Sequence, residues 1–332
     1  MTSTPDPVLP LSLPKESRAR FSALFYEPET LKIQAKTNLH IHILHVQNGD
    51  FDLTRLYREL GNNSIAYVLS RLHYEQAMSD PTRIVQVVNK VQAQFRKPDE
   101  KAGEGGEVIL YSLLEGHLGA PKVLSKMEIK TSSQHYVHGS DGVHLLRTGD
   151  NSYQLVFGES KMYGDGKNTP GSSAKLGIKA AFKSIDESRE EGLKFDTWLV
   201  ESELLKEKLD AEGVEALAAI LLPSTAGPGS GIKKVHGFGI FVGYEIDVTD
   251  VQFEDLELDA AEALLCQRAT DTIRAEQDTI KGEISSRGLG GYPFHIYAIP
   301  FTKRRVKSCV RGINKVREEL AAELGRNKGA AP

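Results

Sequence analysis

The chain has 332 residues, with 40% hydrophobic and 26% charged content and a formal net charge of −4. This is the composition of a globular protein with a sizeable core, and it excludes a polycation drawn to nucleic acid by its overall charge, so phosphate binding has to come from local basic clusters. No apolar run approaches the roughly 18 to 20 residues that cross a bilayer, the first ten residues lack a secretory pattern, and Cys266 and Cys309 fit no zinc spacing; a protein of the reducing cytoplasm, without membrane contact, is expected.

Residues 1 to 20 read as an extended, Pro-rich lead-in. "NLHIHILHVQNGDF" alternates strictly and predicts a strand, with His40 and His42 on one face. "FDLTRLYRELGNNSIAYVLS" reads as a helix, a Gly-Asn-Asn stop and a second helix, and "DPTRIVQVVNKVQAQFRK" as another helix after an Asp-Pro start. The polar, Gly-rich "PDEKAGEGG", residues 98 to 106, is the expected seam between an accessory region, 1–100, and a main domain, 101–332. "GEVILYSLLEGHLGAP" then reads as a helix opened by Glu107, where a carboxylate suits the helix dipole.

Three short strands follow: "KVLSKMEIKT", "DGVHLLRT" and "SYQLVFGESK". After the loop "MYGDGKNTPGS" come a helix, "SAKLGIKAAFKSIDESREEG", helical text from 196 to about 222, and a flexible connector, "PSTAGPGSG". "HGFGIFVGYEI" predicts a strand whose glycines imply a bulge or a close backbone approach. The chain ends in a strand, "YPFHIYAIPF", and a basic amphipathic helix, "TKRRVKSCVRGINKVREELAAEL". Helices packed on a mixed sheet, an α/β core, are the expected fold class.

One constellation in this order carries chemistry. Strand side chains alternate, so Glu159 and Lys161 point the same way at the end of the third strand and Ser160 points the other way. Asp141 opens the second strand. If the two strands form a hairpin through "RTGDNS", Asp141 and Glu159 lie together at one sheet edge, within reach of Glu107 on the preceding helix. Carboxylates converging there repel one another unless a cation sits between them. Mg2+ (or Mn2+) fits, since it takes oxygen ligands, keeps several waters and needs only one or two carboxylates beside a substrate phosphate. Lys161 adds a positive group able to orient the attacking water. The plainer reading is a strand-end ion pair and a turn-capping Asp.

"SDGVHLL" followed by "LVFGESK" resembles the PD-(D/E)xK nuclease signature, with Ser140 standing before Asp141 where the superfamily name has Pro. The element order resembles that fold's restriction-endonuclease-like core. More narrowly, "GEVILYSLLE", "HGSDGVHLL" and "FGESKMYGD" resemble the HamA family (DUF1837-type), the nuclease subunit of the Hachiman anti-phage defence system, over roughly residues 100 to 300. The resemblance implies metal-dependent DNA cleavage and a partner, the superfamily 2 helicase HamB. It implies that Asp141, Glu159 and Lys161 fill the catalytic positions, the acids holding Mg2+, with Glu107 as the helix-borne acid. Glu104, one turn earlier, and Glu115, two turns on, remain alternatives for the third acid.

Lys175, Lys179 and Lys183 share one helix face and are candidates to hold DNA phosphates, set against a solvated face. "TKRRVK", with Lys303, Arg304 and Arg305, is the densest basic cluster and a second candidate for DNA or an acidic partner. His40, His42 and His45 hint at a metal site but have no supporting carboxylates. "GDGKNTPGS" fails the phosphate-loop pattern, and Cys266 is expected to be a buried, inert thiol. The expected function is a Mg2+-dependent deoxyribonuclease restrained by a helicase until triggered. The rivals are a catalytically inactive nuclease-fold adaptor that regulates a helicase and a stand-alone endonuclease, for which no sequence-reading element is evident.

Overall fold

Long apolar alternations build the sheet on which the rest of the chain packs. The structure, a computed structural model, describes residues 9–95, 103–125, 127, 140–166, 169–190, 217–218, 220–221, 232–307 and 309–325. Strands β1 (Glu29–Gln34), β2 (Thr37–Ile41), β5 (Lys122–Ser125), β6 (Gly142–Gly149), β7 (Ser152–Met162), β8 (Lys233–Asp247) and β9 (Phe294–Val306) pair in the order β1-β2-β9-β8-β7-β6-β5. A short β10 (Cys309–Arg311) folds back on the end of β9 and completes an eight-stranded sheet. β3 (Val46–Gln47) and β4 (Asp50–Phe51) form a separate ribbon.

β2, β9, β8 and β7 run parallel, whereas β1, β6 and β5 are antiparallel to their neighbours. Parallel strands are covered on both faces, which explains the unbroken burial from Gly237 to Ile246 and from Ile296 to Thr302. On one face lie α1 (Lys15–Ser22), α2 (Leu53–Val68), α5 (Glu104–Gly116) and α9 (Ile313–Leu324). On the other lie α6 (Ser173–Glu190), α7 (Leu258–Arg274) and α8 (Gln277–Ser286). α3 (Arg71–Ser79) and α4 (Ile84–Gln92) pack beside α2. This is a mixed α/β sheet flanked by helices, compatible with the nuclease-like core expected from the sequence.

Three local readings of the sequence are corrected. The helix through Gly61-Asn62-Asn63 does not stop there, because Asn63 is fully buried and its amide donates to Ser112 Oγ at 3.1 Å. α2 ends at Val68, where the fully buried Lys122 ammonium donates to the carbonyls of Ala66, Tyr67 and the capping Leu69 at 3.0, 3.1 and 2.9 Å. Residues 104–106 are not seam but the first turn of α5. Gly105 is there because a Cβ would stand 2.3 Å from Leu320 of α9; the glycine allows the two helices to meet. Residues 302–306 are strand, not helix, since β9 continues its ladder with β8 to Lys303 and then turns into β10, so α9 begins only at Ile313.

The alternating run after Leu39 leaves the central sheet at Ile41, and β5 is confined to Lys122–Ser125. The glycines of β8 mark a close approach: a Cβ on Gly239 would lie 2.9 Å from Leu114 of α5. The connector at 223–231 and most of the helical text from 196 to 222 lie outside the described residues.

Candidate functional site

The site forms where β6 has not yet begun and β7 has not yet ended. β6 starts at Gly142, opposite Gly158, so residues 159–162 of β7 have no β6 partner, although they pair with β8 as far as Met162 opposite Gly243. Asp141, one residue before β6, donates its N–H to Gly158 O at 2.9 Å. Its Oδ2 accepts the Ser160 N–H at 2.8 Å and the Ser160 hydroxyl at 2.9 Å. The carboxylate thus takes the place of a ladder acceptor at the end of β7.

Ser160 faces α5, where a Cβ on Gly106 would stand 3.3 Å from its hydroxyl. Glu159 and Lys161, the alternate positions, face α6. Glu159 is only 4% exposed, its Oε1 lies 2.5 Å from Lys161 Nζ, and Ser184 of α6 hydrogen-bonds it. Burial, and then the nearby charge of Asp141, push the Glu159 carboxyl up to about 7, outweighing the opposite pull of Lys161 and Ser184. Burial lowers the Lys161 ammonium, but Glu159 and Asp141 outweigh it and hold that group above its ordinary range. Two carboxylates therefore face one ammonium, and the surplus negative charge is unfavourable until something positive joins them.

The helix-borne glutamates have different placements. Glu107 lies on the α5 face, buried, with its Oε2 accepting the Tyr67 hydroxyl at 2.9 Å. It lines a small cavity together with Tyr67, Asp141 and Gly158, so Asp141 stands between Glu107 on one face and Glu159 on the other. Burial, followed by the charges of Glu107 and Asp141, raises the Tyr67 hydroxyl far above its ordinary range. Glu104 is buried one turn earlier, and its charge also reaches Tyr67. Glu115, 0% exposed, accepts from Ser12 Oγ, Leu13 N–H and Lys122 N–H at 2.6, 3.0 and 2.7 Å, and is part of the core around the N-terminal segment.

Among the described residues, no group of three or more His, Cys, Asp and Glu side chains is placed to hold a metal ion. The donor set that does come together is Asp141 with Glu159. Two hard oxygen donors, one of them a Glu159 carboxyl raised first by burial and then by the charge of Asp141, fit an Mg2+ that keeps several waters and takes further oxygens from a phosphate.

The basic candidates are scattered. Lys175, Lys179 and Lys183 are exposed on α6, with Lys183 3.6 Å from Glu187. Lys303 is engaged by Asp247 and Asp165 at 3.0 and 3.6 Å, and Arg304 by Asp50 at 3.2 Å and the face of Phe253. Arg305 is exposed at the start of the β9–β10 hairpin.

His40, His42 and His117 pack against one another, with ring centroids 4.8 Å (His40–His117) and 5.0 Å (His42–His117) apart, and His40 stacks on Tyr297; His45 packs instead on Tyr26. Burial first, then neighbouring histidines, pull His40 and His42 down to about 3. The unfolded chain takes up these protons below about pH 6.5 and the folded chain does not, so this stability is complete above pH 6.5 and is lost as pH falls towards 3. His42→Phe should therefore flatten the stability profile: between pH 6.5 and 5 it should lose about 2 kcal/mol less than the unmodified protein. Urea titrations at the two pH values measure the difference, and equal slopes would refute this account of the cluster.

Sequence reasoning missed three residues that shape the site: Tyr67 on Glu107, Ser184 on Glu159, and the Ser160 hydroxyl on Asp141. Ser160 carried a signal, since it sits between Glu159 and Lys161 and must face the opposite way. Tyr67 and Ser184 reach the site only through helix packing and have no local mark.

The sequence model of the HamA family matches residues 20–320, so this chain belongs to the HamA family. The match extends beyond the region of motif resemblance into the N-terminal strands and helices. Membership places the chain in the Hachiman anti-phage defence system, which works with a partner. Neither a curated protein nor a solved structure matches the chain. Among the described residues no helix is long and apolar enough to cross a membrane.

Proposed function

We propose that the chain is the metal-dependent nuclease subunit of its defence complex and hydrolyses DNA phosphodiester bonds at the edge formed by Asp141, Glu159 and Lys161. The observation that carries this reading is the position of Asp141, one residue before β6 with its N–H on Gly158 O, next to Glu159 of β7, whose carboxylate lies 2.5 Å from the Lys161 ammonium. Mg2+, held by Asp141 and Glu159, would stabilise negative charge building on the scissile phosphate and make a bound water easier to deprotonate. Ser160 fixes the direction of Asp141 through two hydrogen bonds. Glu159, whose carboxyl is raised by burial and by Asp141, would be held ionised by the bound cation. Lys161, a quarter exposed, can turn its ammonium towards a phosphate oxygen or a water. Glu107, held by Tyr67, supports Asp141 from the other face of the sheet.

A nuclease inside its host has to be restrained. A helicase partner that holds the subunit inactive until it engages foreign DNA fits a chain whose net charge of −4 attracts free DNA weakly. The inactive-adaptor reading draws on one observation, the Glu159–Lys161 contact already made within the site. Metal titration separates the two. A nuclease should convert plasmid DNA only as Mg2+ or Mn2+ is added and stop with EDTA. An adaptor should alter the helicase's activity with no such dependence, and that outcome would exclude the nuclease.

A further inference from the structure

We propose that the cleft between the first turns of α5 and α9 binds the sugar–phosphate backbone of the DNA strand beside the scissile bond, with Asn314, Arg317 and Tyr163 as its contact residues. The proposal rests on the nuclease reading and adds where the strand lies. The cleft has a volume of about 480 Å³ and is lined by Gly106, Lys161, Tyr163, Asp165, Asn314 and Arg317, among others. It shares Ser160 and Lys161 with the catalytic edge, so a strand lying in it reaches that edge at Lys161.

Its chemistry suits a polyanion. Asn314 and Arg317 are three residues apart on α9 and share a face. The N-terminus of α9 is already engaged, with the Ile313 N–H donating to Glu245 Oε1 at 2.6 Å, so the positive groups that the cleft offers a phosphate are the side chains of Arg317 and Lys161. Asp165, the acid on the cleft wall, has a side chain only 4% exposed; its Oδ1 accepts the Ser173 N–H at 3.1 Å and its Oδ2 lies 3.6 Å from Lys303 Nζ, which offsets its charge. Tyr163 is 39% exposed at the rim, where a base can stack on its ring. Gly106 keeps the α5 wall free of a side chain beside Ser160. The lysine stripe of α6 belongs to the opposite side of the sheet, so the cleft and the stripe are distinct candidate paths.

Asn314→Asp tests the cleft on two readouts. Asn314 is exposed, so a carboxylate there should leave the melting temperature within a degree or two of the unmodified chain's. The same carboxylate repels phosphate, and binding of the full chain to a fluorescein-labelled oligonucleotide in Ca2+ should weaken about tenfold, with a shallower salt dependence. Tyr163→Ala should weaken single-strand binding by about fivefold, and Lys175→Glu by less than twofold. The proposal is overturned if Asn314→Asp and Tyr163→Ala bind as tightly as the unmodified chain, or if Lys175→Glu weakens binding as much as they do. The nuclease reading fails separately: weakened binding in these variants, with no metal-dependent cleavage by the unmodified protein and its partner, keeps the cleft and removes the nuclease. Cleavage with an unchanged KM in Asn314→Asp does the reverse.

Discussion

Glu159→Gln is expected to abolish Mg2+-dependent DNA cleavage by the purified subunit with its partner, and Lys161→Ala to lower it by about 10²- to 10³-fold. The first change removes one of two carboxylates at the proposed metal position while keeping its shape. The second removes the positive group nearest the reacting phosphate. Loss of activity alone would not separate chemistry from folding, but stability should move in different directions in the two variants. The Glu159 carboxyl is raised from 4.5 to about 7, so between those values the folded chain keeps a proton that the unfolded chain has released. Its contribution to stability is present below pH 4.5 and is lost as pH rises through 7. At pH 8 the ionised carboxylate destabilises the fold, and Glu159→Gln should gain about 1–2 kcal/mol over the unmodified protein, a gain that disappears at pH 4. Lys161→Ala removes the partner of a buried carboxylate and should be less stable at pH 8. A well-folded, stabilised and inactive Glu159→Gln assigns the residue to chemistry. Cleavage surviving either substitution would end the proposal.

The part of this site that could be read from the sequence follows from the strand period. Alternation placed Glu159 and Lys161 on one face, and the turn between β6 and β7 brought Asp141 beside Glu159, because a hairpin pairs the start of one strand with the end of the other. The third acid was not legible. Glu104, Glu107 and Glu115 lie on one helix, and only the packing of α5 against α1, α2 and β7 separates Glu107, facing Asp141's cavity, from Glu115, inside the N-terminal core. Composition misled at Gly105-Gly106, where glycines that resemble a linker serve a close helix contact with Leu320. It misled again at Lys303 and Arg304, whose charges resemble an open nucleic-acid surface. Their acidic partners, Asp50, Asp165 and Asp247, lie far away in sequence and meet them only through the sheet.

The largest loss of stability is expected from Glu115→Ala, about 3–5 kcal/mol. The side chain is fully buried and gathers donors from three parts of the chain: the hydroxyl of Ser12 and the amide of Leu13, the amide of Lys122 at the start of β5, and the guanidinium of Arg71, at 4.0 Å. Removing it takes the acceptor from the Leu13 and Lys122 amides and one carboxylate from the Arg71 guanidinium, which is 6% exposed and whose Nε donates to Pro10 O. Glu115→Gln keeps the volume and one acceptor but turns an NH2 group towards donors, so an intermediate loss of about 2 kcal/mol should follow. Urea midpoints at pH 7 measure both. The loss should begin at the N-terminal segment, where Leu9 and Leu13 are buried and Leu13 is tied to Glu115. Amide exchange at Leu13 should accelerate before the sheet does. The effect should also reach the site, because Lys122 caps the helix that carries Tyr67, and Tyr67 holds Glu107. A Glu115→Ala protein with an unshifted midpoint and a protected Leu13 amide would show that this network does not hold the N-terminal segment against α5.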